Sequence, residues 1–155
     1  MAGGETMPGR GGHKLVCDVA LLAEDRVLLV KYRDTRNYDG ESGWFLPDDY
    51  LRRLEHPEEA ARRIVKEQTG FESPKLRLGL IESFEGDDGT WHLIFHYVGR
   101  LRQRTPVPPI GNVATADWFP IARLPSREEM AHHGWAADVL RSVRARNNPQ
   151  SEALG

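Results

Sequence analysis

Three groups of residues in this 155-residue chain carry side chains that could do chemistry. The first is Arg63, Ile64, Glu67 and Gln68, preceded by Asp48-Asp49, Arg52-Arg53 and Glu55. Positions 64, 67 and 68 lie one helical turn apart and share a face. Taken alone, Glu67 reads as a solvated helix charge, and Asp48 and Asp49 read as turn formers, since Asp tolerates left-handed backbone. Arginines such as Arg52 and Arg53 can grip phosphate bidentately. The second group is His92 and His96, four apart in a strand candidate and so on one face. They could form a metal pair, but two polar groups on a solvated or groove-facing side is the simpler reading. The third is the aromatic set Tyr32, Trp44, Phe84 and Trp91, which could stack on a base. Most aromatics fill cores, and about one of these is expected to line a pocket. His132 and His133 are adjacent on a helix candidate and diverge. Cys17 sits in an apolar strand and reads as inert.

Patterning supplies the elements that must hold these groups. Leu15–Leu22 and Val27–Val30 are apolar runs separated by Ala23-Glu24-Asp25, a hairpin signal. Arg33–Gly43 is a polar loop. Trp44-Phe45-Leu46-Pro47 is a brief apolar segment stopped by proline, and Asp48–His56 a further loop. Pro57–Thr69 is the clearest helix. Pro57 suits its first position, Glu58 and Glu59 suit the helix dipole, and Gly70 suits the C-cap. Ala60, Ala61, Ile64, Val65 and Gln68 form its apolar stripe. Lys75–Phe84 and Trp91–Leu101 are strands joined at Gly86-Asp87-Asp88-Gly89, and Ala116–Pro120 is a short strand. Ser126 caps a helix predicted to run to about Arg146, with a bend or break at Gly134. The run Arg141–Arg146 reads as that helix's exposed face and end. These elements predict an α/β chain with a mixed sheet between helices. Residues 14–146 form a single domain, flanked by a Gly-rich tail over 1–13 and a second tail over 147–155.

The segment Trp44–Phe71 resembles the Nudix box. That pattern is a glycine, five residues, a glutamate, seven residues, then Arg-Glu-apolar-any-Glu-Glu-any-Gly-apolar, and it lands here without gaps. Leu46-Pro47 matches the lead-in, Glu55 the first glutamate, and Arg63 the arginine. Val65, Glu67 and Thr69-Gly70-Phe71 match the remainder. The hairpins on either side and Trp118-Phe119-Pro120 ahead of a last helix are similar to the Nudix plan, so the resemblance spans roughly Lys14–Arg146. It implies a Nudix-type α/β/α sandwich.

The departures bear on activity. The family's Gly-Gly is Asp48-Asp49, the acid after Leu51 is Arg52, and the Gly before the first glutamate is Leu54. The glutamate after the arginine is Ile64, and the second of the Glu pair is Gln68. Of the three helix glutamates that hold divalent metal in typical members, Glu67 alone remains. Ile64 offers no ligand, Gln68 offers only a neutral carbonyl, and a glutamine cannot act as a general base. Mg²⁺ is often held by one or two carboxylates plus substrate phosphates. A shifted set of Glu67 with Asp48 or Asp49 and Glu55 could reach that count, and the backbone carbonyl of Asp49 would stand where the family's Gly lends one. Arg52 and Arg53 could instead bind phosphates directly.

The resemblance therefore implies one of two functions. The first is a divergent hydrolase acting on a nucleoside diphosphate linked to another moiety. Its Mg²⁺ or Mn²⁺ would be weakly held, or absent, and its water would be activated by the metal or by Glu82 or Glu85. The second is a non-catalytic nucleotide-binding or regulatory module. The implied substrate-binding residues are Arg33, Arg52, Arg53, Trp44 and Phe84. Arg63 and Gly70 are structural, with Arg63 paired to Glu55.

Composition narrows the partners. Lys plus Arg total 21 against 23 Asp plus Glu, a net charge of −2, which argues against coating nucleic acid. No apolar run approaches the roughly 18 residues that span a bilayer, and the N-terminus lacks a signal-peptide apolar region. One cysteine makes no internal disulfide and favours a reducing, cytoplasmic setting. The expected partner is a nucleotide-like small molecule, and the resemblance adds a homodimer as a family habit.

Overall fold

The computed structural model describes residues 12–72 and 74–146. Strand β1 (His13–Ala23) and strand β2 (Arg26–Tyr32) form the expected hairpin, but they pair only at its closed end, through Leu22/Val27 and Ala23/Arg26. Beyond that point they diverge, and the chain from Trp44 to Tyr50 fills the gap. Phe45 exchanges both backbone hydrogen bonds with Val30, at 2.8 and 2.9 Å. Strand β3 (Asp48–Tyr50) then pairs antiparallel with Val16–Asp18 of β1. Asp48 and Asp49 are therefore strand residues and not the turn expected of them. Neither has a positive φ, because pairing with β1 holds both extended.

Strand β5 (Trp91–Leu101) runs parallel to β1 along its whole length, and β4 (Leu76–Glu85) lies antiparallel on the outer side of β5. Strand β6 (Val113–Pro120) pairs with β2. The sheet order is β4-β5-β1-β2-β6, with β3 joined to β1. Side chains of β1 alternate between two apolar layers. Cys17, Val19, Leu21 and Ala23 pack under helix α1 (Pro57–Thr69) with Ile64 and Val65, whereas Ala20 and Leu22 pack under helix α2 (Trp135–Arg146) with Val139, Leu140 and Val143. This is the α/β/α sandwich that the pattern and the resemblance predict.

Helix α1 is secured at both ends. The His56 ring nitrogen accepts the Glu58 N–H, the Glu59 carboxylate accepts the His56 N–H, and Gly70, left-handed at φ 78°, donates its N–H to Lys66. The helix expected from Ser126 is shorter than its cap suggests. Ser126 and Glu129 do form a capping box, but only over a single 3₁₀ turn, Arg127–Glu129. Trp44 donates its N–H to Glu129 O and accepts the Ala131 N–H at its carbonyl, so those groups are lost to helical bonding. His132 and His133 then take left-handed backbone (φ 51° and 54°) before α2 starts at Trp135. The proposed tails lie outside the described residues except for Gly12 and His13, and His13 already belongs to β1. Among the described residues no helix is long and apolar enough to cross a membrane.

Candidate functional site

The C-terminal half of α1 carries one site, built around Arg63. Its guanidinium grips Glu55 through two bonds of 2.8 and 3.0 Å and reaches Asp49 at 3.0 Å, the Tyr50 carbonyl at 3.0 Å and Glu67 at 3.3 Å. The Arg63 side chain is only 11% exposed, so these partners see little competing water. The hydrogen bond from Arg63 holds the Glu55 carboxyl below the usual glutamate range. Glu67 also takes a bond of 3.2 Å from Arg52, which leaves it between two guanidiniums. Ile64, one turn away, is fully buried in the α1 layer.

Gln68 is also buried, and it is wired into the backbone. Its amide nitrogen donates to the Asp48 carbonyl at 2.9 Å, and its oxygen accepts the Tyr32 hydroxyl at 2.8 Å. A carbonyl can only accept, so the amide must present its NH₂ to Asp48. The Asp48 N–H in turn donates to the Tyr32 hydroxyl at 3.0 Å, and Tyr38 stacks on Tyr32 at 3.8 Å. The loop ahead of α1 turns at Leu54, a left-handed residue (φ 67°) that is 88% exposed. A β-carbon is strained in that conformation.

A second site opens on the other face of the sheet. The β1–β3 register makes Asp18/Asp48 and Val16/Tyr50 facing pairs, so Asp48 and Tyr50 lie on the α2 side, opposite Asp49. Here a cleft of about 640 Å³ is lined on one side by Tyr38, Phe45, His132 and Trp135. Consecutive rings in that wall touch edge to face, with centroids 5.5, 5.9 and 6.4 Å apart. Phe84, stacked on His92 at 4.9 Å, also lines the cleft.

Deeper in the sheet, His96 joins Asp18 through Nδ1 and Glu82 through Nε2, each at 2.7 Å. A carboxyl group at each ring nitrogen favours the protonated ring. Burial alone would push the His96 pKa down, but Asp18 and then Glu82 outweigh it, and the net shift is upward. Burial raises the Asp18 pKa in spite of His96, and Asp18 Oδ2 has no hydrogen-bond partner among the described residues. Burial, and next the Asp18 charge, raise the Asp48 pKa well above the usual carboxylate range.

The NUDIX domain profile matches residues 12–142. The chain belongs to the NUDIX family. No curated protein matches it by sequence. Among solved structures, it resembles the NUDIX domain of Shewanella oneidensis NrtR complexed with ADP ribose (TM-score 0.68, 19% identity, covering 96% of this chain and 100% of that one). It also resembles the MutT protein of Methanosarcina mazei Go1 (TM-score 0.71, 15% identity, 89% and 97%) and the Nudix hydrolase RenU of M. smegmatis (TM-score 0.67, 21% identity, 86% and 87%). At such identities the likeness is one of fold.

NUDIX enzymes generally use divalent metals. The donor set at positions 64, 67 and 68 does not fit a hard dication, which wants several free oxygens. Ile64 is in the core, Gln68 turns a donor toward the Asp48 carbonyl, and both Glu67 oxygens face arginine. Among the described residues, no three His, Cys, Asp or Glu side chains converge as a metal site. The carbonyl engaged by Gln68 belongs to Asp48.

The residues singled out from sequence separate in space. Asp48, Asp49, Glu85 and Phe84 line the cleft, while Glu55, Arg63, Glu67, Arg52 and Arg53 do not. Trp44 is not at the cleft either. It packs edge-on against Phe119 with Lys31 over its ring, because the Trp44–Pro47 segment is inserted beside β2. Arg33 points its Nε at the Gly111 carbonyl, 3.3 Å away. Glu82 is engaged by His96, and His96 is buried and not groove-facing. Gly70 caps α1, as expected of it. Sequence reasoning missed Asp18, Tyr38, Phe45, Tyr50 and Trp135. The one available signal was Asp18, a lone acid inside an otherwise apolar strand.

Proposed function

We propose that this NUDIX protein binds a nucleotide-like small molecule, a nucleoside diphosphate linked to another moiety, and that standard Mg²⁺-dependent hydrolysis is weak or absent. The observation that carries this reading is the Tyr32–Gln68–Asp48 network. A residue at the position of a metal-binding glutamate is committed to holding the chain together, at both ends of its amide. The ADP ribose bound to the NrtR domain, a relative in fold, supports a nucleotide-like ligand. The cleft's volume, within the ordinary range for small-molecule sites, supports it too. Glu85 is the remaining candidate for activating water, since it lines the cleft and Glu82 is occupied.

A second reading, a non-catalytic binding or regulatory module, is favoured by the two arginines on Glu67. The lone buried thiol, Cys17, is consistent with a reducing, cytoplasmic setting. The test is a turnover panel of ADP-ribose, dinucleoside polyphosphates, nucleotide sugars and nucleoside triphosphates with Mg²⁺ or Mn²⁺. Slow or undetectable hydrolysis is expected. Rapid turnover that Glu67→Gln abolishes would overturn the reading.

A further inference from the structure

The charge balance of the cleft is unusual for a site that takes phosphates. Its lining holds the acids Asp39, Asp48, Asp49, Glu85, Asp87 and Asp88 against one lysine, Lys14, and no arginine. Lys14 is already spent on Asp39 at 2.9 Å, and Asp49 is satisfied by Arg63. Asp88 accepts the Thr90 N–H across its own turn. Asp48 differs from all of these. It is 9% exposed, its backbone N–H and carbonyl are used, and its carboxylate has no hydrogen-bond donor and no cation among the described residues. Burial without a partner disfavours the ionised carboxyl, and a ligand in the cleft that brings a positive charge favours it again. Around it stand rings. Tyr38, Phe45, His132 and Trp135 form a continuous wall, and aromatic faces attract cations. The wall is held at some expense, since His132 is left-handed immediately ahead of a second left-handed residue.

We propose that the group seated against Asp48 is a positively charged organic group, an amine or a cationic nitrogen ring, held between the acid and the aromatic wall. This deepens the ligand reading above and rests on it for the choice of cleft. It assigns the cleft the moiety linked to the nucleoside diphosphate, because a diphosphate there would meet carboxylates and no unpaired arginine.

The test uses a matched pair, 1-methylnicotinamide (a cation) and nicotinamide (neutral), titrated by calorimetry or by quenching of tryptophan fluorescence, with ADP-ribose measured alongside. The cation should bind about tenfold more tightly than the neutral ring, and Asp48→Asn should erase that preference while leaving nicotinamide binding in place. Glu85→Gln, at the rim, should reduce the preference by a smaller factor, and it reads the same effect if Asp48→Asn folds poorly. Equal binding of the two rings, tighter binding of nicotinamide, or no binding of either overturns the proposal. So does tight binding of Mn²⁺ that Asp48→Asn abolishes, since the carboxylate would then belong to an inorganic ion. ADP-ribose binding without charge discrimination would leave the nucleotide reading standing and this one refuted. Charge discrimination without ADP-ribose binding would do the reverse.

Discussion

Asp48 and Asp49 are adjacent in β3 and opposite in every electrostatic respect. Asp49 faces α1 and is bound by Arg63, while the Asp48 side chain faces α2 and has no hydrogen-bond partner among the described residues. The regions around them follow suit. On the α1 side Arg63 gathers Glu55, Asp49 and Glu67, with Arg52 added, so the charges are satisfied within the chain. On the α2 side Asp18 and Glu82 share the single His96 ring, Asp18 Oδ2 is left without a partner, and the Asp48 carboxyl has no cation beside it among the described residues. The first arrangement pairs its carboxylates within the chain. The second leaves a carboxyl without a partner, and it does so at the wall of the cleft.

The largest break in the comparison should come from Arg63→Met. It strands three carboxylates around a mostly buried position, so a loss of about 3 kcal/mol in unfolding free energy is expected by urea titration. Gln68→Leu should cost about 1–3 kcal/mol, because it leaves the Asp48 carbonyl and the Tyr32 hydroxyl short of partners in the interior. Leu54→Gly should move the other way, gaining about 1 kcal/mol by relieving left-handed strain.

The neighbours in β3 should then respond with opposite sign. Asp49→Asn loses a half-exposed ion pair worth about 0.5–1 kcal/mol. Asp48→Asn removes a carboxyl whose ionisation burial disfavours, and should raise stability by about 1 kcal/mol or less at pH values where that carboxyl would otherwise ionise. If both destabilise alike, the contrast fails.

The two sides should also respond oppositely to pH. Glu55 has a depressed folded pKa, so its contribution is present above the unfolded value of about 4.3 and is lost as pH falls through the folded one. His96 has a raised folded pKa, so its contribution is complete below about 6.5 and is lost as pH rises through the folded value. Asp18 and Asp48, also raised, bind protons more tightly folded than unfolded, so each contributes a loss as pH rises from the unfolded value of about 3.9 through its folded one. Unfolding free energy measured across pH should show an acid limb that Glu55→Gln flattens and an alkaline limb that Asp18→Asn flattens.

The α1 side was legible in the sequence because its information is local. The Pro57 start, the Gly70 stop and the 60/61/64/65 stripe lie within one helix, and the Glu55–Arg63 pairing came with the box. The α2 side was not legible, because it depends on register. Asp18 meets His96 only because β1 and β5 align in parallel, 78 residues apart in sequence. Trp44 was drawn to the cleft on aromatic character alone. Its segment instead inserts beside β2 and, by pairing with residues 129–131, shortens the last helix. Asp48 and Asp49 read as a turn because their composition suggests one, and only pairing with β1 makes them a strand that sends the two side chains to opposite faces.

The account turns on whether α1 presents a metal site or an internally satisfied network. Calorimetric titration of the purified protein with Mn²⁺ alone decides it. The network predicts millimolar or weaker binding in the wild type. Micromolar binding in the wild type that Glu67→Gln or Gln68→Leu abolishes would contradict it.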